Sequence, residues 1–413
     1  MGRRILPTLK KTIFSILTLL ALALALALAL AAAQANTAPG DSEARLKALL
    51  DGAADARSAA LQYSDFVRAF RARHQNNVST YTIYNQYLDA VGVRRISNYL
   101  ETEDAACHGV AHGLGRAIGE RVPDLREAMS VCGSTCTYGC VHGVFKRYFV
   151  DKAADEPDHS HHQHNAANAD KPDQFAYDRF AAEALAACRE DSRTVDGFYR
   201  GNCAHAVGHA FGSLEADIDN AQRACDMFDG EEMRYYCATG VFMERGGEIR
   251  RGLFDKGVTR SDKQRLAVEY CGRFEQHAGA CLRFVAHAIS TREEADGFRA
   301  LCRDLAGAAR GGCFNALGFL TRTFTAKNLD VFTQVCSGAT QHDRSACVIG
   351  LLLTKPNQRH RKSLEQACEN VGDEPLTSLC KDQLQRNYYQ VGNPAMQQLL
   401  RVAQEDDHAQ VVD

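Results

Sequence analysis

Twelve of the 16 cysteines fall into six short-spaced pairs: Cys188 and Cys203, Cys225 and Cys237, Cys271 and Cys281, Cys302 and Cys313, Cys336 and Cys347, Cys368 and Cys380. The second members recur mostly every 32 to 34 residues, which is the length of one helix–turn–helix unit. A separation of 10 to 15 residues within a pair suits a bridge from the end of one helix, across a turn, to the start of the next. Turn-forming glycines lie between the partners at Gly230, Gly279, Gly311, Gly312 and Gly338. Cys107, Cys132, Cys136 and Cys140 share the first unit, and the sequence leaves their pairing open. Absence of Trp, only eight Pro and abundant Ala favour helices throughout.

Paired cysteines of this kind belong to an oxidising compartment. The N-terminus agrees: Arg3, Arg4, Lys10 and Lys11 precede an apolar run from Ile13 to Ala33, and Ala33-Gln34-Ala35 is a small-residue cleavage site before Asn36. The run is long enough to span a bilayer if it is not removed, so residues 1–35 are a signal peptide or a membrane anchor. Either way the body of the chain is expected to be exported, periplasmic or secreted, and to meet a membrane only through that segment.

The cysteine period, with segments such as Cys313-Phe-Asn-Ala-Leu-Gly-Phe-Leu320, resembles the secreted, cysteine-rich relatives of the tetratricopeptide repeat. The resemblance covers about Ala105 to Tyr389 and implies an architecture in which a disulfide staples the two helices of each unit. The expected fold is therefore all-α: an α-solenoid, or a duplicated helical module, of units of about 33 residues stapled by disulfides. Residues 36–104 read as a cysteine-free N-terminal helical cap with an apolar stripe through Leu61, Phe66 and Phe70. Residues 105–250 form a duplicated His/Cys module interrupted by a polar, His-rich loop at 151–173, which contains His159, His161, His162 and His164. Residues 251–389 are Cys-paired repeats, and 390–413 are a tail.

The duplication is visible in the histidines. Cys107-His108-Gly-Val-Ala-His112-Gly-Leu-Gly115 and Cys203-Ala-His205-Ala-Val-Gly-His209-Ala-Phe-Gly212 both read His-x-x-x-His-x-x-Gly, 97 residues apart. Cys140 and Cys237, each followed by a glycine and Val-Phe, keep the same offset. Fifteen histidines give roughly 0.5 such pairs by chance, so two in one register mark a repeat.

Histidines four apart lie on one helix face and present two imidazoles to a metal. His108, His112, His205 and His209, with His142 as a fifth, suit zinc, copper, nickel or iron. The same faces could hold haem without a covalent bond, with Gly115 and Gly212 clearing space for something flat or for another helix. Covalent haem attachment is excluded, because no Cys-x-x-Cys-His occurs. The zincin pattern also fails: Gly109 and Ala206 stand where a general-base Glu is required. Glu120, Glu215 and Glu244 are candidate further ligands or bases.

Function is accordingly expected to be transition-metal binding, in storage, delivery or metal-dependent chemistry, with no reaction named. The rival readings are a protein-interaction scaffold that holds a partner on its concave surface and an enzyme with non-covalent haem. A net charge of -3 gives no bias towards nucleic acid. One difficulty is geometric. In a straight stack at ~9 Å per helix, the two His pairs would be about 25 to 30 Å apart unless the halves face each other.

Overall fold

The computed structural model describes residues 39–52, 56–76, 78–103, 107–151, 182–188, 200–215, 217–254, 257–327, 332–337, 340–352 and parts of 364–400. The N-terminal apolar run, the His159–His164 stretch and the acidic end after 400 lie outside the described residues. Among the described residues every element is helical, and no helix is long and apolar enough to cross a membrane.

The boundary between two compact units falls at Tyr99 and Leu100. The first unit contains α1 (Pro39–Asp51), α2 (Ala56–Ala72), α3 (Thr80–Val91) and most of α4 (Val93–Glu103). Its core is aromatic: Phe66 and Phe70, one turn apart on α2, pack against Tyr84 and Tyr99 with ring centroids 5.5 to 6.3 Å apart. Ser79 starts α3 by accepting a hydrogen bond from the Thr82 amide, one of the four donors that a helix start leaves unpaired.

In the second unit eight of the described helices form a row, each packed on the next. They are α5 (Cys107–Arg121), α7 (Thr135–Lys146), α8 (Arg200–Leu214), α10 (Glu231–Leu253), α12 (Ala278–Val285), α14 (Gly307–Lys327), α16 (Gln341–Leu351) and α17 (Glu374–Gln385). Further helices lie against this row: α6 (Leu125–Cys132) on α7, α9 (Ile218–Arg223) on α10, α11 (Arg260–Gly272) on α12 and α13 (Arg292–Arg303) on α14, while α15 (Phe332–Val335) also touches α14. This is a helical-repeat solenoid. The second cysteine of every short-spaced pair sits on a helix of this row and its partner lies 10 to 15 residues before it in the chain.

All 16 cysteines are bridged. The eight disulfides include the six short-range pairs together with Cys107–Cys136 and Cys132–Cys140. Eight intramolecular disulfides point to an oxidising, exported environment. At about 2 to 4 kcal/mol each they offset the small side chains that this packing requires.

Those small side chains have a definite purpose. A Cβ on Gly115 would overlap the Cys140 carbonyl oxygen, and one on Gly143 would overlap that of His112, so α5 and α7 meet backbone to backbone. The same reciprocal pair joins α8 to α10 (Gly208 on Cys237, Gly240 on His205) and α14 to α16 (Gly318 on Cys347, Gly350 on Asn315). Gly115 thus faces the neighbouring helix, and a Cβ on Gly212 would press on the Glu244 side chain.

This packing register differs from the sequence register by one helical turn in the first helix of each pair. The 97-residue offset aligns His112 with His209, yet His112 and His205 are the residues whose carbonyls face the partner glycine. The second helices do keep the offset, through Cys140 and Cys237 and through Gly143 and Gly240. Near the C-terminus, Met396, Leu399 and Leu400 are buried, and Asn393 exchanges hydrogen bonds with Gln383. Part of the stretch read as a tail therefore packs.

Candidate metal centre

α7 packs against both α5 and α8, and this removes the geometric difficulty. α5 supplies His108 and His112 on one side, α8 supplies His205 and His209 on the other, and His142 comes from α7 between them. Ring centroids of His142 lie 4.9 Å from His108, 5.6 Å from His112, 4.8 Å from His205 and 5.0 Å from His209. His112 and His209, 97 positions apart in sequence, have centroids 5.1 Å apart. One donor atom each from His108, His142, His205 and His209 fall within 4.8 Å of one another. Four nitrogens around one ion at about 2.1 Å lie at most ~4.2 Å apart, so this group is within a small contraction of a coordination sphere.

Three of the rings are fixed from behind. Cys136 offers only its carbonyl oxygen to His108 Nδ1, 3.1 Å away, so that nitrogen must carry the proton. Thr239 spends its single hydroxyl proton on the Tyr236 carbonyl at 2.5 Å, so its oxygen accepts from His205 Nδ1 at 2.7 Å. Glu244 Oε2 accepts from His209 Nδ1 at 3.2 Å. In each case Nδ1–H is the donor, so a neutral ring keeps the lone pair on Nε2. A carbonyl, a hydroxyl and a carboxylate behind imidazoles are the usual supports of metal-bound histidine.

The Cys136 carbonyl is aimed by unusual backbone. Cys136, Thr137 and Tyr138 all have positive φ, between 52° and 65°, at the start of α7. Side-chain-bearing residues rarely adopt this left-handed conformation, which costs about 1 to 2 kcal/mol per residue. The Cys107–Cys136 disulfide and a 3.0 Å hydrogen bond from the Cys136 amide to Glu101 hold the turn in place. Sequence reasoning could not pair these cysteines, because nothing in Cys132-Gly-Ser-Thr-Cys136 announces a left-handed turn.

The electrostatics favour neutral rings at His108, His112, His142 and His205. Burial, and then the neighbouring His209, pushes His108 down to about 4. Burial likewise holds His112, His142 and His205 well below the ordinary imidazole value, aided by the other rings. Neutral imidazole is the form that donates a lone pair to a metal. Burial also works to raise the Glu244 carboxyl, but the hydrogen bond and charge of His209, then of Lys146, outweigh it and keep the group ionised.

Five imidazole nitrogens of this cluster are buried without a hydrogen-bond partner: Nε2 of His108, His112 and His209, and both nitrogens of His142. Each such atom costs about 1 to 3 kcal/mol if nothing else satisfies it. The residues therefore fit a transition metal by donor type, tautomer and unmet bonding capacity.

Of the three candidate carboxylates only Glu244 reaches the cluster. Glu120 lies 3.8 Å from Arg147, and Glu215 accepts from the Asp217 amide. Thr239, on the neighbouring α10, had no sequence signal beyond its position two residues after Cys237. In the later repeat that begins at Cys281, the position equivalent to His205 is Arg283, which donates to Tyr235 and Asn315, and α12 ends at Val285, before His287. No protein-family model, curated protein or solved structure matches the chain.

Proposed function

We propose that this exported protein binds a transition-metal ion through His108, His142, His205 and His209, and that it stores or delivers the ion. The observation that carries the reading is that Nδ1 of His108 and of His209 each faces an oxygen acceptor, while Nε2 of both rings is buried without a hydrogen-bond partner. Four imidazoles suit zinc, copper, nickel or iron. When bound, the ion supplies a Lewis-acidic centre and, if copper or iron, a one-electron carrier. His142, His205 and His209 are almost fully buried, while the Glu244–Lys146 pair, 22% and 34% exposed, forms the solvent-facing edge. Enclosure of this kind suits retention of an ion better than turnover of a large substrate.

Two rival readings are less well supported. Histidines that served only to hold helices together would not be expected to gather five unpartnered ring nitrogens in one place; His277, outside the cluster, pairs its Nδ1 with Gln222 at 2.7 Å. Haem needs a flat slot, whereas these rings pack on one another from three successive helices.

The test is metal analysis of untagged protein after equilibration with each of the four metals and a chelator wash. Retention of at least one equivalent per folded chain is expected. Folded protein that retains none of the four would overturn the reading.

A further inference from the structure

A single ion leaves part of the cluster unexplained. The group of four donors excludes His112, whose Nε2 is also buried and unpartnered. His142 offers one donor to that group, yet both of its nitrogens are unpartnered, and the residue is only 2% exposed. Two buried nitrogens, one on His112 and one on His142, therefore remain after the first ion is placed. Their ring centroids are 5.6 Å apart, on adjacent helices α5 and α7. His142 is also in ring contact with all four other histidines, so it is the one residue able to serve two centres.

We propose that the cluster holds two divalent transition-metal ions, with His142 as a bridge between an ion on His108, His205 and His209 and a second ion on His112. Binding of the second ion displaces the last ring proton of His142 to solvent, and the imidazole becomes an imidazolate that bonds through both nitrogens. The second ion has two protein donors and completes its shell with small exogenous ligands such as water. It is the more weakly held of the two and the exchangeable one, which is how a storage or delivery protein would give up its cargo.

This inference rests on the metal-binding reading, and the experiment separates the two. Untagged full-length protein in which His159, His161, His162 and His164 are changed to Ser, to remove stray binding, is titrated with copper(II). Bound copper is read by elemental analysis and electron paramagnetic resonance. Two equivalents are expected, and the isolated copper signal of the first should fall as the second binds, because an imidazolate couples the spins. His112→Ala should retain one uncoupled equivalent. His142→Ala should show no coupling at any loading. One equivalent at saturation in the His112-containing protein, or two that remain uncoupled, overturns the bridge but leaves the single-ion site standing. No bound copper, zinc, nickel or iron overturns both.

Discussion

Oε2 of Glu244 lies 3.2 Å from Nδ1 of His209, on the side of the ring that carries the proton. The other carboxylate oxygen accepts from Lys146 Nζ at 2.7 Å, so α7, α8 and α10 are joined by one chain of charge-assisted hydrogen bonds at the edge of the cluster. In the proposed site Glu244 touches a ligating ring, His209, and would act on a bound ion through it.

Glu244→Ala should weaken metal binding by about 10- to 100-fold, the usual effect of removing a carboxylate behind a ligating histidine. Glu244→Gln keeps an acceptor oxygen and should recover most of that loss. Competition against a chelator of known affinity measures both. Equal losses in the two variants would show that charge, not ring orientation, is what Glu244 provides.

Glycine substitutions should separate the contact positions from the open ones. Gly143→Ala and Gly240→Ala drive a methyl into the carbonyls of His112 and His205 and should cost about 1 to 3 kcal/mol or prevent folding. Gly109→Ala, on the exposed side of α5 with nothing near its added Cβ, should instead stabilise by ~0.5 to 1 kcal/mol. Denaturant melts of the three variants read this directly.

Asp343 makes one separable contribution to the pH dependence of stability. It is 1% exposed and takes two hydrogen bonds from Arg310 at 3.0 and 2.7 Å, besides closing the capping box of α16 with Thr340. Burial acts to raise its carboxyl, but Arg310 and then Thr340 outweigh this and lower it. A carboxyl lowered in the folded state adds stability above its unfolded value, and that stability disappears as pH falls through the folded value. Asp343→Asn should therefore cost about 3 kcal/mol near neutral pH, as for a broken buried ion pair. The gap to the parent should shrink below pH ~4, the ordinary carboxyl value. A gap that is constant with pH would show a packing defect instead.

Cys107→Ser with Cys136→Ser should loosen the left-handed turn that points the Cys136 carbonyl at His108. The double variant should bind metal more weakly while keeping most of its helix content, because seven other disulfides remain. The comparison is of far-ultraviolet circular dichroism with chelator competition. Unchanged affinity would mean that the turn does not position His108.

The repeat was legible in the sequence because a staple fixes both spacing and period. The glycines were a poorer guide: Gly230 does take a positive φ between two helices, but Gly279, Gly311 and Gly312 lie inside α12 and α14, where Gly279 and Gly312 meet backbone to backbone. The histidines were legible for the same kind of reason, since positions four apart must share a helix face. What could not be read was which helices become neighbours. The distance between the two His pairs depends on α7 lying against both α5 and α8, and the stretch between α7 and α8 gives no period to count. The one-turn shift between α5 and α8 was also hidden, since the 97-residue offset aligns both histidines of each pair while the packing register aligns only His112 with His205, and the carbonyl–glycine contacts alone reveal it. Glu244 was indistinguishable from Glu120 and Glu215 until α10 was seen to pack on α8. The described residues say nothing of the N-terminal apolar run, so its reading as signal or anchor rests on the sequence alone.

The central claim is that residues nearly a hundred positions apart make one metal site. It is tested most directly by a double-mutant cycle on His108 and His209, which lie on α5 and α8 and share no hydrogen-bond partner. Metal affinity is measured for the parent, His108→Ala, His209→Ala and the double variant, each checked for folding by circular dichroism. With one site, either single change removes a ligand from the same ion, and the double variant should lose far less than the sum of the two. Losses that add, or a double variant that still binds as the parent does, would contradict a shared site.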